Sequence, residues 1–383
     1  MFSSSSCAYG GKLQSRCLVA QEANSEQHRF LIGSTSLREE NEVQLVDYNQ
    51  ESGMATCLHV FPHAHEIWHM SPSPRDASLL ITSFHGAQGP GAVLWKMNTT
   101  TEPDPLTNDA QSDDVTSAPD GRARSMSLAN ANLDEVTTFE CVDGLPRILW
   151  EQKSASTNQE RLVALDEHAF RVLDMSEASV QVTDTSSASV GRIMAGALDP
   201  YGAGHTLSSV SGVDISVWDC RTSITKPTIN VEGAHEYGSI RDIDYNPNKR
   251  HVVATSGEDR LIKFWDLRSP GEPMRILAGH SHWVPCIKFN RFHDQLLVSG
   301  GTDSYVNLWR VSSISSAPLL ELEGEGNCAD AGDASIRTFD DHEDSVYAVA
   351  WSACDAWVFA SLSYDGRVVF NNVPSTEKYK ILL

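Results

Sequence analysis

Runs of alternating apolar and polar residues, broken by short polar turns, recur along this chain. Two segments show the pattern most plainly: SGEDRLIKFWDLR at 256–268 and SGGTDSYVNLWR at 299–310. Each reads as the end of a strand, a tight polar turn, and an alternating strand that closes on Trp, the period-two signature of a half-buried sheet. In each an Asp precedes the Trp by six residues, Asp259 before Trp265 and Asp303 before Trp309. A His lies further upstream, His235 30 residues before Trp265 and His280 29 before Trp309. A unit that returns at a fixed period is the mark of a repeat architecture.

Weaker copies fill the remaining length. HEDSVYAVAW at 342–351 and FASLSYDGRVVFNN at 359–372 keep His342, Ser361 and Asp365, with Asn371 where Trp is expected. ISVWDCR keeps Trp218 without the turn Asp, and AVLWKM keeps Trp95, with His65 lying 30 residues before it. FRVLDM puts Leu173 at the Trp position and QLVDY puts Val46 there. The seven markers, 46, 95, 173, 218, 265, 309 and 371, are mostly 44–49 residues apart, near the roughly 40–45 residues of a four-stranded blade. The two long intervals contain polar stretches. Residues 98–132 are too poor in apolar side chains to form a core and read as a disordered insert, and 321–334 as a Gly- and acid-rich loop. The Ser-rich stretch 176–192 reads as a third surface loop. The last blade needs a closing strand, which the C-terminal KYKILL at 378–383 is expected to supply, an N-terminal strand being the alternative.

These residues resemble the WD40 repeat family. The resemblance implies an all-β, single-domain, seven-bladed propeller. Each blade is then a four-stranded antiparallel sheet that cannot bury both faces alone. It also implies a hydrogen-bonded His, Ser/Thr, Asp and Trp tetrad within a blade, tolerable when buried only if every member is satisfied. Matched residue by residue, one tetrad is His235, Thr255, Asp259 and Trp265. A second is His280, Ser299, Asp303 and Trp309. His342, Ser361 and Asp365 make an incomplete third, and His65 falls on the same register.

Composition narrows the function classes. Of 383 residues 40% are hydrophobic and 21% charged, and the net charge is -22. Nucleic-acid surfaces must neutralise phosphates with Lys and Arg, so this balance argues against such a partner, and against a broad grip on anionic lipid. The eight cysteines, Cys7, Cys17, Cys57, Cys141, Cys220, Cys286, Cys328 and Cys354, include no C-x-x-C pair. A reducing compartment fits them best. No signal-peptide core and no membrane-spanning run is present, so a cytoplasmic protein that meets membranes only through partners is expected.

Candidate chemistry is sparse. HEIWH at 65–69 matches a zinc-protease pattern that requires a helix, where the two His stand ~6 Å apart along the axis. Pro62, Pro72 and Pro74 bracket it, and as a strand the two His stand ~13 Å apart, too far to share a metal. No phosphate loop and no nucleophile elbow occurs, and the run Asp340, Asp341, His342, Glu343, Asp344 reads better as a tetrad His among solvated acids. No catalytic residue, cofactor or metal is expected. Trp218 to Arg221 and Trp265 to Arg268 spell W-D-x-R, which marks cullin-4 ubiquitin-ligase receptors in some propellers and is ordinary blade chemistry in others. RARSMS at 122–127 is a phosphorylation candidate within the insert. Residues after the tetrad His and beside the turn Asp should reach the top face and channel mouth. They are Trp68, Tyr237, Arg241, Glu258, Trp283, Asp344 and Tyr364, either docking a partner or, for the two Trp, packing between blades. With Glu258 and Asp344 beside them, a basic partner segment is expected.

Several stretches are similar to one narrower WD family, the EARP- and GARP-complex-interacting proteins. They are HEIWHMSPSP at 65–74, RDIDYNPNK at 241–249, HSHWVPCIKFNRFHDQLLVSGGTDS at 280–304, HEDSVYAVAWSACDAWVFASLSYDGR at 342–367, and KYKILL. The similarity is dense in the C-terminal half and thin in blades one and two. Blade three, the first 30 residues and the 98–132 insert depart from it. It implies a non-catalytic scaffold, monomeric outside its complexes. Its partners would be the endosome-associated recycling and Golgi-associated retrograde tethering complexes, in recycling and in retrograde transport to the trans-Golgi network. Nothing in spacing or composition indicates trafficking.

Overall fold

The computed structural model describes residues 6–382 except 88, 100–130, 143, 152–159, 177–178, 187–190, 202–204, 222–223 and 317–332. Seven four-stranded sheets stand around a channel. The inner strands are Ser15–Ala20, Glu66–Pro72, Arg147–Trp150, Ile193–Leu198, Ile240–Tyr245, Cys286–Phe289 and Val346–Trp351, in blades one to seven. All are short and each meets its neighbours in ring order. The core lies between blades. Phe264, Leu277, Ile287 and Trp309 pack across blades five and six, and Phe30, Tyr48 and Phe370 join blade one to blade seven, Tyr48 stacking on Phe370 at 5.0 Å. Every blade is hydrophobic on both faces, which only a closed ring can cover.

The seven marker positions occupy equivalent places. Trp95, Trp218, Trp265 and Trp309 pair across to Leu80, Leu207, Val253 and Leu297, while Asn371 faces Phe359, Leu173 faces Leu162 and Val46 faces Phe30. In blade six the Trp309 indole N–H donates to Ser299 Oγ (2.8 Å), Ser299 donates to His280 Nε2 (2.8 Å), and His280 Nδ1 donates to Asp303 (3.1 Å). Blade five repeats the relay from Trp265 through Thr255 and His235 to Asp259, at 3.0, 2.9 and 2.8 Å. Glycine is needed beside it. A Cβ on Gly301 would collide with the His280 ring and the Asp303 carboxylate.

Two tetrad assignments are corrected. In blade two the tetrad His is His63, not His65: His63 Nε2 bonds Thr82 Oγ1 at 3.1 Å, and Trp95 donates to the same hydroxyl at 2.8 Å. His65 instead stacks on Phe84 at 4.7 Å. Connections before the inner strand vary in length, so counting back from Trp95 cannot choose between the two. In blade seven Asp365 does not touch the His. His342 Nδ1 donates to Ser363 Oγ (2.8 Å), and Ser363 passes the bond on to Asp365 (2.5 Å).

Blade seven is closed from the N-terminal end. Cys7–Gly10 pairs antiparallel with Arg367–Asn372, Cys7 opposite Phe370 and Gly10 opposite Arg367. KYKILL is no strand, because Ser375–Leu382 forms a helix whose first bonds run to the Pro374 carbonyl. Its Glu377 is buried and takes Arg310 Nη1 of blade six at 2.8 Å. The Ser-rich stretch is corrected as well: Ser179–Thr185 is the outer strand of blade three, paired along Phe170–Ser176. The blade-two strands Gly89–Thr99 and Ala131–Phe139 take in both ends of the expected insert, pairing Asn98 with Asn132. The rest of it, with 122–127 and most of 321–334, lies outside the described residues. Asp333 and Ala334 are described, and Ala334 begins a blade-six strand.

Candidate docking face at the channel mouth

One irregularity recurs at the channel mouth. Among the described residues, five of the seven inner strands carry an extra residue where they pair with the next strand: Arg16, Trp68, Met194, Arg241 and Tyr347. A bulge leaves one residue unpaired and re-aims its side chain. All five line a single cavity of about 400 Å³ at the mouth, joined by Arg147, Arg192, and Trp283 from the connection ahead of blade six.

Aromatic rings and guanidinium groups alternate there. The Arg16 guanidinium lies over the Tyr347 ring at 4.3 Å and the Trp68 ring at 4.9 Å. Arg241 lies over Trp283 at 5.3 Å and is ion-paired with Glu258, which also accepts the Ser239 N–H. Arg192 pairs with Glu167 at 2.9 Å. Arg147 is held below its ordinary value by burial, against the pull of Asp242 and helped by Arg16 and Arg241. One level down, burial drives His69 to about 3, with Arg147 and Lys288 adding to the effect. Burial also opposes the charge on Lys288, but Asp242 and Asp244, at 3.5 and 3.6 Å, outweigh it and keep the ammonium protonated.

Of the sequence-derived positions, the structure brings Trp68, Trp283 and Arg241 together around the cavity. The two rings are 38% and 42% exposed. Glu258 stands behind as the partner of Arg241. Tyr364 packs against Tyr347, ring centroids 5.9 Å apart, and Asp344 accepts the Ser345 N–H at 2.6 Å. Tyr237 is exposed and does not line the cavity. The expectation of acidic surroundings is corrected, because the wall is arginine-rich. The acids beside it are already engaged, Asp166 by Arg171 and Glu167 by Arg192. Arg16, Arg147 and Tyr347 were missed. Aligning SRCLVA and VYAVAW with IRDIDY on the inner-strand register would have found Arg16 and Tyr347 opposite Arg241.

The chain is similar to known proteins over nearly its whole length. The EIPR1 beta-propeller family model matches residues 3–309, and a WD domain, G-beta repeat model matches 333–370. The chain is 33% identical over 399 residues to the human EARP and GARP complex-interacting protein 1, covering 98% of each chain. It is 34% identical over 375 residues to the WD repeat-containing protein DWA2 of Arabidopsis thaliana, covering 97% of each. The EARP-interacting protein 1 of Caenorhabditis elegans matches at 27% over 388 residues.

The chain belongs to the EIPR1 beta-propeller family. That family is a non-enzymatic WD-repeat scaffold type. Glu66–Pro72 is a strand, and no group of three or more metal-ligating side chains occurs among the described residues. The seven described cysteines are all free. No helix among the described residues is long and apolar enough to cross a membrane. In both W-D-x-R sequences the Arg folds back on its own Asp: Arg221 on Asp219 through bonds of 3.0 and 2.7 Å, and Arg268 on Asp266 through 2.9 and 2.6 Å.

Proposed function

We propose that this propeller is a docking platform for the EARP and GARP tethering complexes. It would act in endosomal recycling and retrograde transport to the trans-Golgi network, on the cytoplasmic side and through partners rather than its own membrane contact. The named partners come from relatives matched over nearly the full length. The observation that carries the docking reading is the channel mouth, where Trp68 and Trp283 present exposed rings on either side of a lined cavity. Large aromatic rings and Arg dominate the energy of protein interfaces. The two Trp sit in blades two and six, so one partner lying across the mouth reaches both.

The test is affinity capture from cells with wild type and Trp283→Ala. Trp283 touches Arg241 and His282 at its ring, so its removal should leave the melting temperature nearly unchanged. Losing a central Trp typically costs an interface about 2 kcal/mol, or 30-fold in affinity, enough to abolish capture of tether subunits. Undiminished capture by a folded mutant would place the docking site elsewhere. Recovery of a ubiquitin-ligase adaptor in place of tether subunits would overturn the reading in favour of a cullin-4 receptor.

A further inference from the structure

We propose that the channel mouth is a receptor for an acidic peptide segment, whose carboxylates are taken by Arg16 and Arg147. The proposal rests on the docking role above and specifies the chemistry of the partner.

Two cations at the mouth stand outside its ion pairs. Arg241 and Arg192 are neutralised by Glu258 and Glu167, and Lys288 by Asp242 and Asp244. Arg16 and Arg147 make no ion pair or side-chain hydrogen bond among the described residues. Arg16 is held only by the faces of two rings, which leaves its donor edge free. Arg147 begins its inner strand, half-buried in the cavity wall, with Asp242 the carboxylate that acts on it most strongly and Arg16 and Arg241 opposing its charge. A chain with net charge -22 has no lack of carboxylates to place there, yet it gathers guanidinium groups at this point. Buried or crowded charges without partners are costly, and removing that cost is the return a ligand carboxylate offers. Guanidinium binds carboxylate in a two-pronged geometry, and stacking on an aromatic ring pre-orients it for that contact.

The rest of the wall selects a peptide over a small polyanion. Trp68, Trp283 and Tyr347 expose ring surface, and Leu145, Met194 and Pro285 add apolar faces. A phosphorylated inositol has no group that uses these surfaces. A chain in which Asp or Glu alternates with apolar side chains uses both. The cavity, about 400 Å³, lies within the ~300–1,000 Å³ of ligand clefts. The net charge of -22 disfavours such a segment over the surface at large, so a local cluster of guanidinium groups gives the mouth the advantage.

The experiment tiles the tether subunits recovered with the wild-type protein as overlapping peptides of about fifteen residues. Each is measured against wild type, Arg16→Gln and Arg147→Gln by fluorescence anisotropy at low and physiological salt. Inositol hexakisphosphate is titrated by calorimetry as a separate arm. The expected result is binding to acid-rich segments, weakened by salt and at least tenfold by either substitution, with Arg147→Lys intermediate because it keeps charge but not the two-pronged contact. Melting temperatures accompany every variant, and Arg16→Gln, which removes only stacking on two rings, decides the matter if Arg147→Gln unfolds. Binding confined to basic or neutral segments, indifference to both substitutions, or tight inositol hexakisphosphate binding with no peptide bound would each overturn the proposal. The two readings separate cleanly. Wild type that captures no tether contradicts the docking role itself. Arg16→Gln and Arg147→Gln proteins that capture tethers as wild type does contradict only the acidic-peptide chemistry.

Discussion

Asp303→Ala tests whether the buried relay of blade six is a single cooperative unit. The Asp303 carboxylate is 4% exposed and His280 1%. It accepts His280 Nδ1 at 3.1 and 3.2 Å, the Ser281 N–H at 2.7 Å and the Tyr305 N–H at 3.2 Å. Burial works against its charge, but the His280 contact and these backbone donors outweigh it and hold the carboxyl below its ordinary value. Alanine strands three donors at once, and stranding the His280 N–H loosens the tautomer that lets Ser299 donate to Nε2 while accepting from Trp309. An orphaned buried donor costs about 1–3 kcal/mol, and two of these three keep partial access to water, so the loss should be about 2–4 kcal/mol. That is a large share of a domain stability of about 5–15 kcal/mol. Asp365→Ala is the matched control. Asp365 is an exposed carboxylate that receives Ser363 Oγ and the Arg367 N–H, while His342 keeps Ser363 as its partner, so about 1 kcal/mol is expected. Urea midpoints at constant m-value give both numbers. Equal losses from the two substitutions would refute the argument that direct carboxylate contact to the His carries the energy.

Glu258→Ala, a trivial surface change on the sequence, should cost about 1 kcal/mol by urea titration, because Glu258 accepts the Ser239 N–H and clamps Arg241; a loss near zero would show the clamp to be idle. Burial holds His63 and His342 at about 4, so the unfolded chain binds their protons first and stability must fall as pH drops from about 6.5 towards 4, by about 2 kcal/mol per His at pH 5. Comparing wild type with His342→Asn cancels the general effect of net charge, and an unchanged difference between pH 7 and pH 5 would contradict the shift. Glu377→Ala should lower stability by about 1–3 kcal/mol by removing the carboxylate held by the buried Arg310, where a shift under about 0.5 kcal/mol would mean the C-terminal helix is not latched. Deleting residues 1–10 should expose the edge of Arg367–Asn372, lowering the melting temperature and promoting aggregation in light scattering, and an unaffected melt would rule out closure by this strand.

What the sequence disclosed follows from where burial imposes a pattern. Blades five and six were legible because a buried polar relay needs four residue types at fixed spacing, and Thr255, Asp259, Ser299 and Asp303 supply them between alternating apolar runs. Elements whose side chains are half in solvent left no such trace. Ser179–Thr185 pairs on one side only, so SVQVTDT reads as a loop. Cys7–Gly10 has four residues and alternates between partial and full exposure, too short for a period to register. KYKILL has strand-like composition, but Pro374 and Ser375 ahead of it begin a helix, and the burial of Glu377 against Arg310 is a tertiary fact that no local pattern contains. Arg16 and Arg147 were hidden for another reason. Net charge is a sum over the whole surface and carries no information about where a few cations collect.

The mouth also shows how a repeat fold separates stability from recognition. At the bulge the backbone does the same thing in five blades, so the fold's requirement there is met by geometry alone. The preceding residue is a buried β-branched aliphatic in three blades, Ile67, Ile240 and Val346 at 0% exposed, and the buried Ser15 in blade one. The bulged residue is not uniform at all, being Arg, Trp, Met, Arg and Tyr in turn. A position that repeats in backbone and varies in side chain is released from packing, and what it carries is free to answer to a ligand. Five such positions open on one cavity, so a partner reading them reads a surface composed by five separate blades. That explains why the strongly patterned blades five and six cannot define the site alone, and why Arg16, from the least patterned stretch of the chain, stands at its centre between Trp68 and Tyr347.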